Sequence, residues 1–200
     1  QQMVAVRSEA AGVMFTIDTE TGFKNAVVIT SIYGIGENIV QGRVSPDEFM
    51  VFKPTMAILK RKIGTKKLKM IPVAGSKTKN IAVPKLHQQR FSITDEQVKT
   101  LAKWAIEIEK HYGKPMDIEW ALDEDDGKLY IVQARPETVQ SRANHNVIEE
   151  YKLHETGRVL ATGTSVGSKI ASGRANRVMS IKNIGSFRPG GIANMVGGAL

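Results

Sequence analysis

The sequence has no cysteine and no long hydrophobic run. The missing cysteine excludes a disulfide framework and any zinc site made of cysteines, which fits a cytoplasmic protein. Because no run of about 18 apolar residues is present, the sequence predicts no transmembrane helix and no membrane partner. The chain opens on Gln1-Gln2-Met3 with neither a signal peptide nor an initiator methionine, so we expect it to be part of a longer chain.

Acidic residues are missing from residues 60–69, and aromatic residues make up only 6% of the chain. Six basic residues lie in this short stretch and supply much of the net charge of +8: Lys60, Arg61, Lys62, Lys66, Lys67 and Lys69. A basic patch can hold nucleic acid, anionic lipid or phosphorylated ligands. Since no aromatic side chains are interleaved with the basic ones, nucleic-acid binding is disfavoured. We expect a solvated pair of basic strands that lends positive potential to a nucleotide cleft.

The 200 residues are enough for one domain or one and a half, and their patterns predict an α+β fold. Thr94 and Gln97 form a capping box, and apolar residues at helical spacing follow as far as Tyr112. Gly113 and Pro115 end this helix, whose apolar stripe we expect to pack in the core. Short β-branched or alternating runs predict strands at residues 4–6, 12–18, 25–32, 48–53, 58–70 and 79–83.

A pair of glycines, Gly34 and Gly36, resembles the start of a dinucleotide-binding fingerprint. Ile39 stands where the third glycine should fall, and a βαβ context is missing. We therefore discount a dinucleotide site and expect a strained loop that opens a short helix.

Residues 115–137 alternate as two strands around an acidic turn that ends near a glycine, which predicts a β-hairpin. Because side chains alternate between the two faces of a strand, the hairpin places Asp117 and Glu119 on one face with Gln133 and Arg135. Carboxylate and amide oxygens suit Mg²⁺, and an arginine can bind a phosphate or hold a carboxylate in place. On the pattern alone, an amphipathic hairpin with a solvated polar face and a cross-strand salt bridge explains the same residues.

Both strands of this hairpin carry specific motifs, Asp117-Ile118-Glu119-Trp120 and Gln133-Ala134-Arg135-Pro136-Glu137-Thr138. With residues 12–16, 34–42, 45–49 and 108–116, they resemble the phosphoenolpyruvate synthase (pyruvate, water dikinase) family. The resemblance runs from about residue 1 to about residue 180. Pyruvate phosphate dikinase and rifampicin phosphotransferase share the motifs loosely and stay open as alternatives, as does a non-catalytic binding module.

The resemblance implies an ATP-grasp nucleotide-binding domain, with an antiparallel sheet and a packed helix, followed by a β-rich swivelling phosphohistidine domain. By this resemblance, residues 1–140 are the C-terminal part of the ATP-grasp domain. Residues 141–155 are then a polar linker, and residues 156–200 are the incomplete start of the swivelling domain.

The resemblance also implies a chemistry. In the family, ATP phosphorylates a histidine of the swivelling domain, and that domain carries the phosphate to pyruvate, giving phosphoenolpyruvate, AMP and phosphate. A cytoplasmic, homodimeric enzyme of gluconeogenesis that uses Mg²⁺ is expected. Glu119 and Gln133 match the family's ligands for magnesium and phosphate, Asp117 its supporting acid, and Arg135 its phosphate-side arginine. Gln1 matches a residue that contacts the adenine base.

Parts of the family pattern are absent from this sequence. The family's phosphate-binding lysine and arginine belong to an N-terminal half, and its pyruvate-binding barrel is missing as well. The phosphocarrier histidine sits in a Thr-Ser/Cys-His-Ala motif, which none of the four histidines has: His87, His111, His145 and His154. We therefore assign no catalytic residue, and we expect this stretch alone not to complete the reaction.

Overall fold

The computed structural model describes residues 4–5, 9–75, 77–138, 151–154, 157–160, 170–178 and 191–195 of the 200-residue chain. Its contacts divide the chain into two compact units, Gln1–Val147 and Ile148–Leu200. Among the described residues, no helix combines the length and the hydrophobicity needed to cross a lipid bilayer.

The described residues of the first unit form eight strands and three helices. The strands are β1 Ala10–Phe15, β2 Ala26–Tyr33, β3 Asp47–Phe52, β4 Ala57–Lys62, β5 Leu68–Val73, β6 Lys77–Ala82, β7 Met116–Leu122 and β8 Leu129–Pro136. The helices are α1 Glu37–Val40, α2 Lys85–Gln88 and α3 Asp95–Tyr112. Six strands form an antiparallel sheet in the order β4-β3-β2-β1-β7-β8, while β5 and β6 form a separate two-stranded sheet. The predicted α+β fold, with an antiparallel sheet and a packed helix, is confirmed.

Helix α3 begins and ends where its sequence signals predict. The Thr94 hydroxyl accepts a hydrogen bond from the Gln97 amide, and the Gln97 side chain accepts one from the Thr94 amide, so the capping box is complete. Gly113 ends the helix in the left-handed conformation, with φ of 66°. The buried stripe of α3 includes Val98 and Leu101 and belongs to one core with Met116, Ile118 and Trp120 of β7. The helix therefore covers one face of the sheet and leads the chain directly into β7.

The single strand predicted at residues 58–70 is wrong, because the chain breaks between β4 and β5. Gly64 lies in the break, where a Cβ atom would stand 2.1 Å from the Ser45 carbonyl oxygen, so only glycine allows this approach. Lys66 follows with φ of 37°, a left-handed conformation that ends strand geometry. The strand predicted at residues 4–6 is also not formed at Val4 and Ala5, and residue 6 lies outside the described residues.

The expected pair of solvated basic strands needs two corrections. β4 pairs with β3 and β5 pairs with β6, so the two basic stretches are not partners. Lys66 is fully buried rather than solvated, and its Nζ lies 2.5 Å from Oδ1 of the equally buried Asp47. A buried cation needs such a partner, because an unpaired charge in the interior is strongly unfavourable.

In the second unit, the structure describes two strands, β9 Arg174–Val178 and β10 Gly191–Met195, which pair in parallel. The linker expected at residues 141–155 lies mostly outside the described residues. The expected swivelling domain at residues 156–200 stays a prediction.

Candidate functional site

Strands β7 and β8 form the predicted hairpin, and their register brings four of the predicted site residues together. Asp117 stands directly opposite Arg135, and Glu119 stands opposite Gln133. Residues that face each other across an antiparallel pair project to the same side of the sheet. The two carboxylates, the amide and the guanidinium therefore share one face, as the alternation in the sequence predicts.

The strand β1 adds a third column to this face. Val13 pairs with Glu119, and Phe15 pairs with Asp117. Two rows of side chains thus cross β1, β7 and β8: Val13, Glu119 and Gln133 in one, and Phe15, Asp117 and Arg135 in the next. The core residues of β7 alternate with these and point to the opposite face, toward α3.

A β-bulge lies beside Glu119 and Gln133. The register shifts between Glu119 and Trp120, so Trp120 stands opposite Ile131 and Val132 is the extra residue of β8. Bulges bend a strand locally and re-aim its side chains. Here the bulge separates the polar pairs of the site from the apolar end of the hairpin near its turn.

Arg135 and Asp117 form an ion pair with unequal exposure. The Arg135 Nε donates to the Asp117 Oδ2 at 2.9 Å, and its Nη2 lies 2.8 Å from the same oxygen. The Asp117 side chain is 12% exposed and the Arg135 side chain 65%. A guanidinium has five N–H donors in a fixed fork, so most of the Arg135 donors remain available to a further anion.

The acidic turn of the hairpin is held by its own carboxylates. The side chain of Asp123 accepts hydrogen bonds from the amides of Ala5 at 2.8 Å and Asp125 at 2.7 Å. The bond from Ala5 is the main reason that the pKa of Asp123 is lowered from its ordinary value. Tyr130 donates to the Asp126 carboxylate at 2.7 Å, and this bond raises the pKa of the Tyr130 phenol. These acids shape the turn, so their clustering does not in itself indicate a metal site.

A cavity of about 730 Å³ opens beside the two rows of side chains. Its described lining includes Val13, Glu119 and Tyr130 from the sheet, together with Ile35, Gly36 and Glu37 from the loop that leads into α1. The charged side chains of this described lining are Glu37 and Glu119, both acidic. Most of the lining is apolar, which suits a ligand with a ring system and a few polar groups.

The predicted site residues thus differ in their position relative to the cavity. Glu119 reaches the cavity itself, whereas Asp117, Gln133 and Arg135 lie near it on the same sheet face. Gln1, the predicted base contact, lies outside the described residues. The prediction of Glu119 and Gln133 as metal ligands stays a prediction.

The loop at residues 34–37 belongs to the cavity wall, a position that its sequence did not predict. Gly34 has φ of 74°, and a Cβ atom there would stand 2.3 Å from the Met70 carbonyl oxygen. The glycine pair therefore signals a close backbone contact with β5 as well as a helix start. That contact places Gly36 and Glu37 at the cavity, which the spacing of the glycines alone does not reveal.

Metal binding at this face relies on few protein ligands. Among the described residues, no three histidine, aspartate or glutamate side chains gather as a metal site. Glu119 and Gln133 offer one carboxylate and one amide oxygen. This small set fits Mg²⁺ in nucleotide sites, where the ion keeps several waters and binds substrate phosphates.

Comparison with known proteins gives consistent matches. The family described as "Pyruvate phosphate dikinase, AMP/ATP-binding domain" matches residues 1–155. A phosphoenolpyruvate synthase of Synechocystis sp. is 51% identical over 203 residues, which cover 95% of this chain and 25% of the relative. Proteins of the same name from Pseudomonas aeruginosa and Escherichia coli are 50% and 47% identical over 201 residues each, with 96% of this chain and 25% of each relative covered.

The chain spans about a quarter of the length of these curated relatives. The family match, by contrast, covers more than half of the chain, including the β7–β8 hairpin and the loop before α1. The chain therefore belongs to the pyruvate phosphate dikinase AMP/ATP-binding domain family.

Proposed function

We propose that the sheet face around Glu119 and the adjoining cavity bind ATP together with Mg²⁺. The observation that carries the proposal is the position of Glu119, which lines the cavity and stands directly opposite Gln133. The family to which the chain belongs is described as AMP/ATP-binding, and the largely apolar cavity has room for a nucleotide.

Four residues have distinct roles in this proposal. Glu119 and Gln133 hold Mg²⁺ through their side-chain oxygens, and the ion, when bound, neutralises charge on the phosphates. Arg135 donates its remaining N–H groups to a phosphate, while Asp117 keeps the guanidinium in place. Phosphoryl transfer depends mainly on positioning and on charge neutralisation, which side chains on paired strands can supply. Gln1 remains the proposed contact of the adenine base.

For the longer protein we propose the activity of a phosphoenolpyruvate synthase, which converts ATP, pyruvate and water to phosphoenolpyruvate, AMP and phosphate through a phosphohistidine. The names of the three relatives support this assignment. The same proposal assigns residues 1–140 to the end of an ATP-grasp domain, residues 141–155 to a linker and residues 156–200 to the start of a swivelling domain. It also extends to a cytoplasmic, homodimeric enzyme of gluconeogenesis.

Isothermal titration of the full-length protein with ATP and Mg²⁺ tests the site. We expect Glu119→Ala and Gln133→Ala to weaken Mg²⁺-dependent ATP binding by about 10- to 100-fold, because each removes a ligand of the ion. Glu107→Ala is the matched control, since Glu107 is an exposed acid of α3. Unchanged ATP binding and enzyme phosphorylation in both site variants would show that the site is assigned wrongly.

The name of the matched family keeps a second candidate, a pyruvate phosphate dikinase. The two activities differ in the second acceptor, which is water in the synthase and inorganic phosphate in the dikinase. Product analysis separates them, because only the dikinase makes pyrophosphate and requires added phosphate.

A further inference from the structure

Charge is unevenly distributed along this chain. Residues 49–94 contain eleven of the 28 lysines and arginines and none of the 20 aspartates and glutamates. Four of these eleven cations form ion pairs with acids outside the stretch: Lys53 with Glu109, Arg61 with Asp95, Lys62 with Glu48 and Lys66 with Asp47. Of the other seven, all but Lys60 of β4 lie on or next to the β5–β6 hairpin and α2.

One face of the β5–β6 hairpin is cationic. The register pairs Lys69 with Ile81, Ile71 with Lys79 and Val73 with Lys77, so all six side chains project to the same side. Lys77 and Lys79 are exposed and Lys69 is partly exposed. Within the described part of the chain, these three lysines form no ion pair, and their charges add up on one small surface.

The hairpin is attached to the wall of the cavity. The Ile35 amide donates to the Met70 carbonyl oxygen at 2.9 Å, and the Asn38 side chain donates to that of Asn80 at 2.8 Å. Ile35 lines the cavity, and Asn38 follows Glu37 of the same wall. The hairpin is thus joined to the wall of a cavity whose described charged side chains, Glu37 and Glu119, are both acidic. Asn80 makes its contact from the face opposite the three lysines, which places their charges on the outer side of the hairpin beside this wall.

We propose that Lys69, Lys77 and Lys79 of the β5–β6 hairpin steer polyphosphate-bearing nucleotides toward this cavity and speed their capture. The inference rests on the proposed ATP site. The two acidic side chains of the cavity repel a triphosphate that approaches without enough bound metal, and nearby lysines counteract that repulsion. Charge arranged around a cleft raises association rates by about 10- to 1,000-fold, and the effect weakens with ionic strength. At 0.15 M salt the screening length is about 8 Å, so steering acts near the cavity rim.

Stopped-flow mixing tests this role. It measures the rates at which fluorescent methylanthraniloyl derivatives of ATP, ADP and AMP associate with the full-length protein. The variant carries Lys69→Glu, Lys77→Glu and Lys79→Glu. At about 20 mM salt we expect its association rate to fall by about tenfold for the ATP derivative, less for ADP and least for AMP. The dissociation rate should change by less than about twofold, since affinity tuned by steering lies in the association step.

The matched control reverses three exposed lysines of α3 with Lys99→Glu, Lys103→Glu and Lys110→Glu. These lie on the helix that covers the opposite face of the sheet, and we expect the rates to stay near those of the unaltered protein. Raising the salt to about 0.5 M should remove most of the difference between the hairpin variant and the control.

Three results would overturn the steering role. One is an equal loss for ATP, ADP and AMP, which indicates a structural effect of the hairpin rather than an electrostatic one. Another is a change confined to the dissociation rate, which indicates direct contact. Unchanged association rates would indicate that the lysines only keep an edge strand from pairing with another chain, which charges of either sign can do. If the unaltered protein binds no nucleotide at all, the proposed ATP site is wrong and the steering role is wrong with it. This result is distinguishable from the other three, because each of those requires that the unaltered protein binds nucleotide.

Discussion

Two ion pairs, each between a basic side chain and an aspartate, differ in their burial and in their further hydrogen bonds. Lys66 and Asp47 are both fully buried, whereas Arg135 is 65% exposed over a largely covered Asp117. The Asp47 carboxylate also accepts from the amides of Gly64 at 2.9 Å and Ser92 at 2.8 Å. Its partner Lys66 donates in addition to the Gly64 carbonyl oxygen at 2.9 Å.

The difference shows which pair is free to meet a ligand. The hydrogen-bonding capacity of the buried pair is used by the chain itself, where it joins β3 to the segment before β5 and to Ser92 in the segment before α3. The pair on the sheet face leaves most guanidinium donors unused. We therefore interpret Lys66 and Asp47 as structural and Arg135 as available for phosphate.

Separating the buried pair should have the largest effect. Lys66→Met leaves the Asp47 carboxylate buried without its cation, and we expect a loss of about 3–5 kcal/mol in the free energy of unfolding. Urea unfolding followed by circular dichroism measures it. In the double variant Lys66→Met with Asp47→Leu, much of the loss should be recovered, since no buried charge remains. A loss below about 1 kcal/mol in the single variant would contradict the structural interpretation.

Removing the exposed cation should lower ATP affinity and leave the free energy of unfolding nearly unchanged. Arg135→Met should lower the free energy of unfolding by less than about 1 kcal/mol, because exposed ion pairs stabilise little. ATP affinity should fall by about 10- to 100-fold, since hydrogen bonds to charged groups contribute about 1.5–3 kcal/mol. Calorimetric titration provides the affinity. Arg61→Met is the control, because Arg61 is another exposed arginine paired with an aspartate, on β4. An equal loss of ATP affinity in Arg135→Met and Arg61→Met would show that Arg135 has no special role in binding phosphate.

A smaller effect is expected when only the charge of the partner changes. Asp117→Asn keeps an oxygen that accepts from Arg135, but a neutral amide holds a guanidinium less firmly than a carboxylate does. We expect ATP affinity to fall by about two- to fivefold and the unfolding transition to stay nearly unchanged. Calorimetric titration of both variants with ATP ranks the contributions of Asp117 and Arg135 to ATP affinity. A greater loss for Asp117→Asn than for Arg135→Met would mean that Asp117 contacts the nucleotide or the metal directly.

The smallest change should appear in the acid limb of the stability profile. The pKa of Asp123 is lowered in the folded chain, chiefly by the bond from the Ala5 amide. A carboxylate with a lowered pKa binds fewer protons when folded, so its contribution is present above the unfolded value of about 3.9 and is lost as the pH falls further. In Asp123→Asn, the decline of stability below about pH 4 should be shallower. Unfolding measured between about pH 2 and pH 6 gives both slopes, and equal slopes would exclude this contribution.

The local elements were predictable because their signals are close together in the sequence. The Thr94 capping box, the Gly113 stop and the alternation of the β7–β8 hairpin each depend on residues a few positions apart. That alternation places Asp117 and Arg135 on one face, whereas their direct pairing depends on the register of the hairpin. The family motifs at the same positions suggested the nucleotide, while the roles of the single residues stay predictions.

The remaining features depend on distant partners and were not predictable. Lys66 is buried because Asp47, 19 residues earlier, offers a buried carboxylate. Gly64 breaks the predicted strand because the backbone at Ser45 approaches it closely. The cavity wall at Glu37 depends on contacts of Gly34 and Ile35 with Met70. None of these partners can be identified from periodicity, which describes one segment at a time.

The pairing of β1 with β7 joins segments far apart in the chain. The Met116 amide donates to the Thr16 hydroxyl across 100 residues, next to the pairing of Phe15 with Asp117. Closing so long a loop is slow, because its entropy is lost before the contacts stabilise it. The rows that contain Glu119 and Asp117 are complete only after this step. A nucleotide held across β1 and β7 would therefore slow unfolding far more than it would speed folding.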